Sequence, residues 1–404
     1  TTGASNVAIG AAALDANTTG ASNVAVGRSA LTANTTGVEN TAVGMRALVT
    51  NTTGDDNAAV GKDALRYNTT GINNTATGVA ALRDNTTANY NTAMGMYALA
   101  ANTTGANNTA TGYQALFVNT TGANNVALGS SALNANTTGT DNTAVGTGAL
   151  QANTASNNTA FGRVALQQNT TGSSNVAMGL SALRFNTTGT ENTAVGRNAL
   201  ASNITGGYST AVGTGALYSN STGIYNTAVG RDSLGVNTSG GSNVALGKNT
   251  GNNITTGSSN IIIGTDVDAP SATASKQINI GNYIHNEVSA SNTYGNLDVT
   301  MGSTSENVIA ISQNTAVGLF GGGNTFSGLL IINDINSTGH TAVFICGGGV
   351  FKLVSQTSGS FANTSTPSAA QIGYYITSGV IYLKPGRAGT TNFRILSLRT
   401  RVSQ

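Results

Sequence analysis

Few residues in this chain have the type and spacing to do chemistry. The two histidines, His285 and His340, form no His-x-His pair, so each reads as a surface or turn residue rather than a metal ligand. The nearest carboxylate groupings, Asp55-Asp56 and Asp266-x-Asp268, are too sparse for a calcium cage, and no Gly-Gly-x-Gly-x-Asp repeat occurs. They read as solvated corners. Cys346 is the single cysteine, which rules out an intrachain disulfide; it reads as a small buried apolar side chain. Gly321-Gly-Gly-Asn and Gly347-Gly-Gly lack the Gly-Lys-Ser/Thr of a phosphate loop. Asn-x-Thr sequons abound, as at Asn17, but they fall in a structural turn. No set of nucleophile, base and orienting group can be assembled. The expectation is therefore no catalytic residue, no metal, no cofactor and no enzyme.

The elements that hold these residues belong to a repeat. From Asn6 to Gly264 a 17-residue unit recurs about fifteen times: Asn-Thr-Ala-Val-Gly, a variable pair, Ala-Leu, a variable pair, Asn-Thr-Thr-Gly, a variable pair. Of 404 residues 53 are glycine and 39% are hydrophobic, while only 8% are charged, against about 25% in ordinary globular domains. The apolar residues are strictly placed, unlike those of a disordered chain. A net charge of +2 gives no reason to expect nucleic acid or an anionic membrane as partner. No apolar stretch reaches the roughly 18 residues of a membrane helix, so no membrane insertion is expected.

Charge locates the surface of the unit. All 19 charged residues before Gly264 fall on variable positions, among them Arg28, Lys62, Arg163 and Arg197 on the first pair and Glu39, Asp55, Asp141 and Glu191 on the third. Charged groups avoid burial unless paired, so the variable pairs are expected to face solvent as three corners, with three fixed walls between them. Alternation and β-branched residues such as Val24, Val26, Thr41 and Val43 make Asn-Thr-Ala-Val-Gly extended, with Ala on one side and Thr and Val on the other. Glycines such as Gly27, Gly44 and Gly61 close each strand at positive φ, and Asn-Thr-Thr-Gly forms a further turn.

Stacked coils pair strands in parallel at about 4.8 Å, so fifteen coils predict a rod of about 70 Å. Columns follow: Ala (Ala8, Ala25, Ala42, Ala59), Leu as the main filling (Leu14, Leu31, Leu48, Leu65), Asn and Thr. A buried Leu contributes about 1.5–3 kcal/mol, whereas fixing each backbone residue costs about 1–2 kcal/mol. A coil this small has little interior, and the partly apolar second face of the Thr-Ala-Val wall predicts cover by another subunit. A homotrimer is expected.

Asn-Val-Ala-Ile-Gly at 6–10 and Asn-Thr-Ala-Val-Gly elsewhere resemble the head repeats of trimeric autotransporter adhesins, which are left-handed parallel β-rolls. The longer unit with Asn-Thr-Thr-Gly is more similar to phage tail fibres and spikes that carry a C-terminal intramolecular chaperone. The resemblance covers 1–264, and Gln277-Ile-Asn-Ile-Gly-Asn-Tyr-Ile284 also looks like the stretch that follows such repeats. It implies left-handedness, three-fold symmetry, a virion location and other virion proteins on the N-terminal side. The chain starts inside a repeat, which suggests a fragment or processed product, and a chaperone cleaved after Gln404 would fit the fibre family.

The expected organisation is an all-β chain: a β-roll shaft over 1–264, a transition segment over 265–300 and an antiparallel β-sandwich tip over 301–404. The tip has strand-like runs at Asn307–Ser312, Gly328–Asn333, Thr341–Cys346, Val350–Ser355, Gly373–Ile376, Val380–Leu383 and Phe393–Leu398, and nine of the 21 Phe and Tyr residues. Exposed aromatics stack on sugars or pack into epitopes, which makes Tyr374, Tyr375 and Tyr382 the candidate receptor-binding residues. The leading expectation is a trimeric phage fibre or spike whose tip contacts a host cell-surface glycan or protein. The alternatives are a bacterial adhesin head on the cell surface, an ice-binding solenoid, supported only by Thr75-Ala-Thr77 and Thr109-Ala-Thr111, and a polysaccharide depolymerase.

Overall fold

A computed structural model describes residues 2–282 in full and, beyond them, the backbone of ten strands between Ile284 and Leu398. It divides into two units, Thr1–Leu297 and Asp298–Gln404. The first is a parallel β-solenoid. Each coil supplies one three-residue strand, from Val7–Ile9 to Ile278–Ile280, and every strand pairs in parallel with its counterpart in the next coil. Thr41, Ala42 and Val43 lie against Ala58, Ala59 and Val60, like against like. The short unit does not break the ladder: Thr143 pairs with Thr159, sixteen residues on. The repeat pattern ends at Gly264 but the ladder continues one coil further, with Ile261 against Ile278. The chain then reverses, and Ile284–Glu287 runs antiparallel to the last of these strands.

Only one of the three expected walls is a strand. The other segments are turns, because a coil closing in 17 residues must curl sharply. In the coil of Thr41–Val43, Arg46, Leu48 and Asp56 take φ of 58°, 52° and 58°, and Gly44 takes 138°. The left-handed leucine recurs along the column, from Leu14 to Leu234. Such a φ costs an L-residue about 1–2 kcal/mol. From Leu31 to Leu234 the column is fully buried, so each of these side chains gains about 1.5–3 kcal/mol in return.

The core is correspondingly thin: the strand Ala, the Ala before the Leu, and the Leu, as in Ala42, Ala47 and Leu48. The strand valine lies on the side opposite the alanine, as alternation predicted; Val43 is only half-buried. Hydrogen bonds between coils run right around the perimeter. Gly44 and Arg46 donate to Val26 and Arg28 in the preceding coil, while Thr41, Leu48 and Thr52 donate to Asn57, Ala64 and Thr69 in the following one.

Two buried asparagine ladders complete the interior. Asn51 Nδ2 donates to Asn34 Oδ1 at 3.0 Å and to its own turn carbonyl, Gly54 O, at 2.9 Å. In the second ladder Asn40 Nδ2 donates to Gly54 O at 2.8 Å, and Asn40 Oδ1 accepts the backbone N–H of Asn57 at 3.0 Å. The carbonyl of Ala88, which stands where other coils have glycine, accepts the same pair of bonds from Asn74 and Asn85.

Among the described residues the second unit has two four-stranded sheets. One orders Val317–Gly318, Val380–Lys384, Ile372–Thr377 and Phe361–Asn363; the other orders Val350–Gln356, Thr341–Gly347, Gly328–Asp334 and Phe393–Leu398. All pairings are antiparallel except that of Phe361–Asn363 with Ile372–Thr377. Six of the seven expected strand runs are strands within a residue or so at each end; the seventh, Asn307–Ser312, lies outside the described residues.

Candidate interaction face

Alternation along each strand sends alanine inward and the flanking residues outward, so the ladder has an uncovered outer face two columns wide. The column at the third strand position runs Ile9, Val26, Val43, Val60 and onward to Ile263, and is apolar apart from Thr77 and Thr111. Its larger members are exposed: Met94 47%, Leu128 47%, Phe161 55% and Leu246 47%. The column at the first position is mostly Thr, with Val at some coils and Ala58 and Ile261 among them. Sixteen steps of about 4.8 Å and a width of about 10 Å give a flat patch of roughly 750 Å². About half of it, the third-position column, is almost wholly apolar, comparable with the roughly 300–600 Å² of the largest apolar patch on a typical monomer.

The corners carry the charges, mostly in solvent as expected. Asp63 is the exception, with only 8% of its surface exposed. Arg46 covers it, with Nη2 donating to Oδ2 at 2.8 Å; the Nε–Oδ1 approach of 2.7 Å is an ion contact with the N–H off line. Arg66 adds a longer contact at 3.8 Å. Burial is possible here because the carboxylate is paired, a condition that charge position alone does not reveal. Two hydrogen bonds of 2.7 Å to Asp84 raise the pKa of Arg83 above its usual value, against the lowering effect of burial. The group stays cationic throughout the working range.

Exposed aromatics also line the corners, which the sequence reading did not single out. Tyr208 and Tyr225 occupy the same unit position one coil apart and stack at 5.0 Å; their 17-residue spacing was the available signal. Arg184 lies over Phe185, which helps line a surface hollow with Gln168, Thr187, Ser202 and Ile204. Of the residues expected to bind a receptor, Tyr375 and Tyr382 are register partners on adjacent strands and Tyr374 pairs with Leu383. Their side chains lie outside the described residues, as do His340 and Cys346.

Among the described residues no three His, Cys, Asp or Glu side chains gather as a metal site would require, and no helix is long and apolar enough to cross a membrane. The sequon asparagines are structural: Asn34, Asn51 and Asn68 are completely buried with their amides committed to the ladder. The fold and this face define the class, a parallel β-solenoid of about sixteen 17-residue coils with an apolar outer sheet face. No protein-family model, curated protein or solved structure matches the chain.

Proposed function

We propose that this chain is a structural fibre or spike protein of a phage virion, assembled as a homotrimer. The solenoid acts as a stiff shaft, and residues 301–404 recognise a glycan or protein on the host surface. The observation that carries the reading is the long, largely apolar sheet face, exposed among the described residues and self-similar from coil to coil. A surface of that kind suits packing against copies of itself. The resemblance of the repeats to phage fibres supplies the biological setting.

Three weak tip contacts on one fibre act together, so avidity can compensate for modest single-site affinity. Tyr374, Tyr375 and Tyr382 are the proposed contact residues. Removing 301–404 should abolish host adsorption while leaving a folded shaft by circular dichroism; undiminished adsorption would overturn the tip assignment. Light scattering should give about three times the chain mass of 40.2 kDa, and a single-chain mass would overturn the trimer.

A further inference from the structure

The column of turn residues from Thr18 to Thr255 is threonine or serine in every coil but one, where Ile204 takes the place. Hydroxyls of this column donate between coils, as Thr187 Oγ1 does to the carbonyl of Ile204 at 3.0 Å. Isoleucine forgoes that bond and leaves its side chain 46% exposed, so the exchange gives up a contact and buries little. A residue that breaks a local rule with no internal gain is the mark of a functional position. Ile204 also meets a second departure from the repeat. Phe185 lies one coil earlier at the neighbouring corner and is likewise exposed. Together with Gln168, Thr187 and Ser202 they line a solvent-open hollow of about 340 Å³. That volume falls within the roughly 300–1,000 Å³ of small-molecule sites. Among the described residues the Gln168 side-chain amide and the Ser202 hydroxyl have no hydrogen-bond partner.

Beside the hollow a cation is held in place. Gln167 Nε2 donates to Gln151 Oε1 at 3.0 Å, and Arg184 Nε donates to Gln167 Oε1 at 3.1 Å. The Arg184 guanidinium also lies over the Phe185 ring, 4.9 Å from its centroid. Its terminal nitrogens stay uncommitted, and among the described residues no carboxylate pairs with it. On the second variable pairs from Gln151 to Ser219 it is the one charged residue. Arg66 over Tyr67 repeats the stack at 4.8 Å, but there the cation has company: Asp63 lies 3.8 Å from it, and Asp84 follows Tyr67 one coil on.

We propose that this hollow on the shaft binds a carboxylate-bearing sugar residue of a polysaccharide. Phe185 and Ile204 offer apolar surface to the C–H face of a pyranose ring, and Gln168 and Ser202 are free to bond its hydroxyls. The terminal nitrogens of Arg184 take the carboxylate as a charge-assisted pair. Charge complementarity selects this class: an acidic sugar meets a lone, preoriented cation, whereas a neutral one leaves that cation unused. Because the hollow is open, the rest of the polysaccharide can run past it along the flank. The site lies within one chain, so the proposal needs neither the trimer nor the tip.

The test titrates the full chain by saturation-transfer NMR with oligosaccharides of hexuronic and of nonulosonic acids. Their methyl esters serve as neutral controls. At least one acid should bind, and its ester should bind about tenfold more weakly or not at all. Arg184→Gln removes the charge and keeps a hydrogen-bonding amide. Ile204→Thr restores the residue of the other coils, so its fold is secure, and circular dichroism checks both variants. Each should weaken binding of the acid about tenfold, while Arg66→Gln should leave it unchanged. Failure of both acids to bind the parent chain would overturn the proposal, as would equal binding of acid and ester. So would parent-like binding by either Arg184→Gln or Ile204→Thr. A loss in Arg66→Gln equal to that in Arg184→Gln would reduce the effect to net charge and overturn the site.

Discussion

Asn102 shows how much rests on one side chain. Its Nδ2 donates to Asn85 Oδ1 at 3.0 Å and to Gly105 O at 2.9 Å, while its Oδ1 accepts from Asn119 at 2.8 Å. Both amide ends are needed in a fully buried place. Asn102→Ala leaves buried groups unpaired and should cost about 1–3 kcal/mol. Asn102→Asp should cost more, because an acceptor-only side chain would face Asn85 Oδ1 and carry a charge into the core. Thermal melts of the two variants should fall in that order. Leu116 makes a second residue-scale case, with φ of 53°. A γ-branched side chain tolerates this backbone, whereas β-branching there is a conformational outlier. Leu116→Ile should therefore exceed the roughly 1.5 kcal/mol limit usual for volume-conserving swaps, and should melt below Leu116→Met.

At the scale of the coil, two kinds of glycine have different reasons to be there. Gly112 sits at φ 130°, and a Cβ would lie 2.7 Å from the carbonyl of Gly129, so both conformation and space exclude a side chain. Turn glycines such as Gly105 lack the left-handed φ; a Cβ there would also crowd the Gly122 carbonyl oxygen, but the chain itself accommodates Ala88 at that position. Gly112→Ala should lower the melting temperature well beyond Gly105→Ala. Because identical positions stack, removing 92–108, one whole coil, should leave a cooperative melt near that of the parent, whereas removing 92–99 should abolish it. The sequence made the stacked columns legible because a fixed period states which residues lie above one another: Ala42 over Ala59, Leu48 over Leu65. It did not state backbone conformation. The Asn and Asp at the second position of the third pair, such as Asn73 and Asp141, hinted at left-handed turns, since these residues tolerate them. Leucine gives no such hint, so the expectation of three walls was too regular. The apolar face was readable from alternation; the pairing that buries Asp63 was not, because it depends on which corners of successive coils meet.

For the whole molecule, the decisive surface is one whose alteration leaves each chain intact. Leu128 and Met178 project from the face and contribute nothing to the buried core. Changing both to glutamate should preserve the circular dichroism of the fold and give a single-chain mass by light scattering. The direction of the inter-coil hydrogen bonds has one more consequence, a mechanical one. They lie along the stacking direction, so tension between the two ends of a coil stack opens them one layer at a time rather than shearing a whole sheet at once. Each layer released frees 17 residues, about 55–60 Å of extended chain in place of a rise of about 4.8 Å. Pulled in a single-molecule force experiment, the unassembled chain should lengthen in small equal steps at low force. Such a chain yields under load by paying out length, and keeps the layers that have not yet opened.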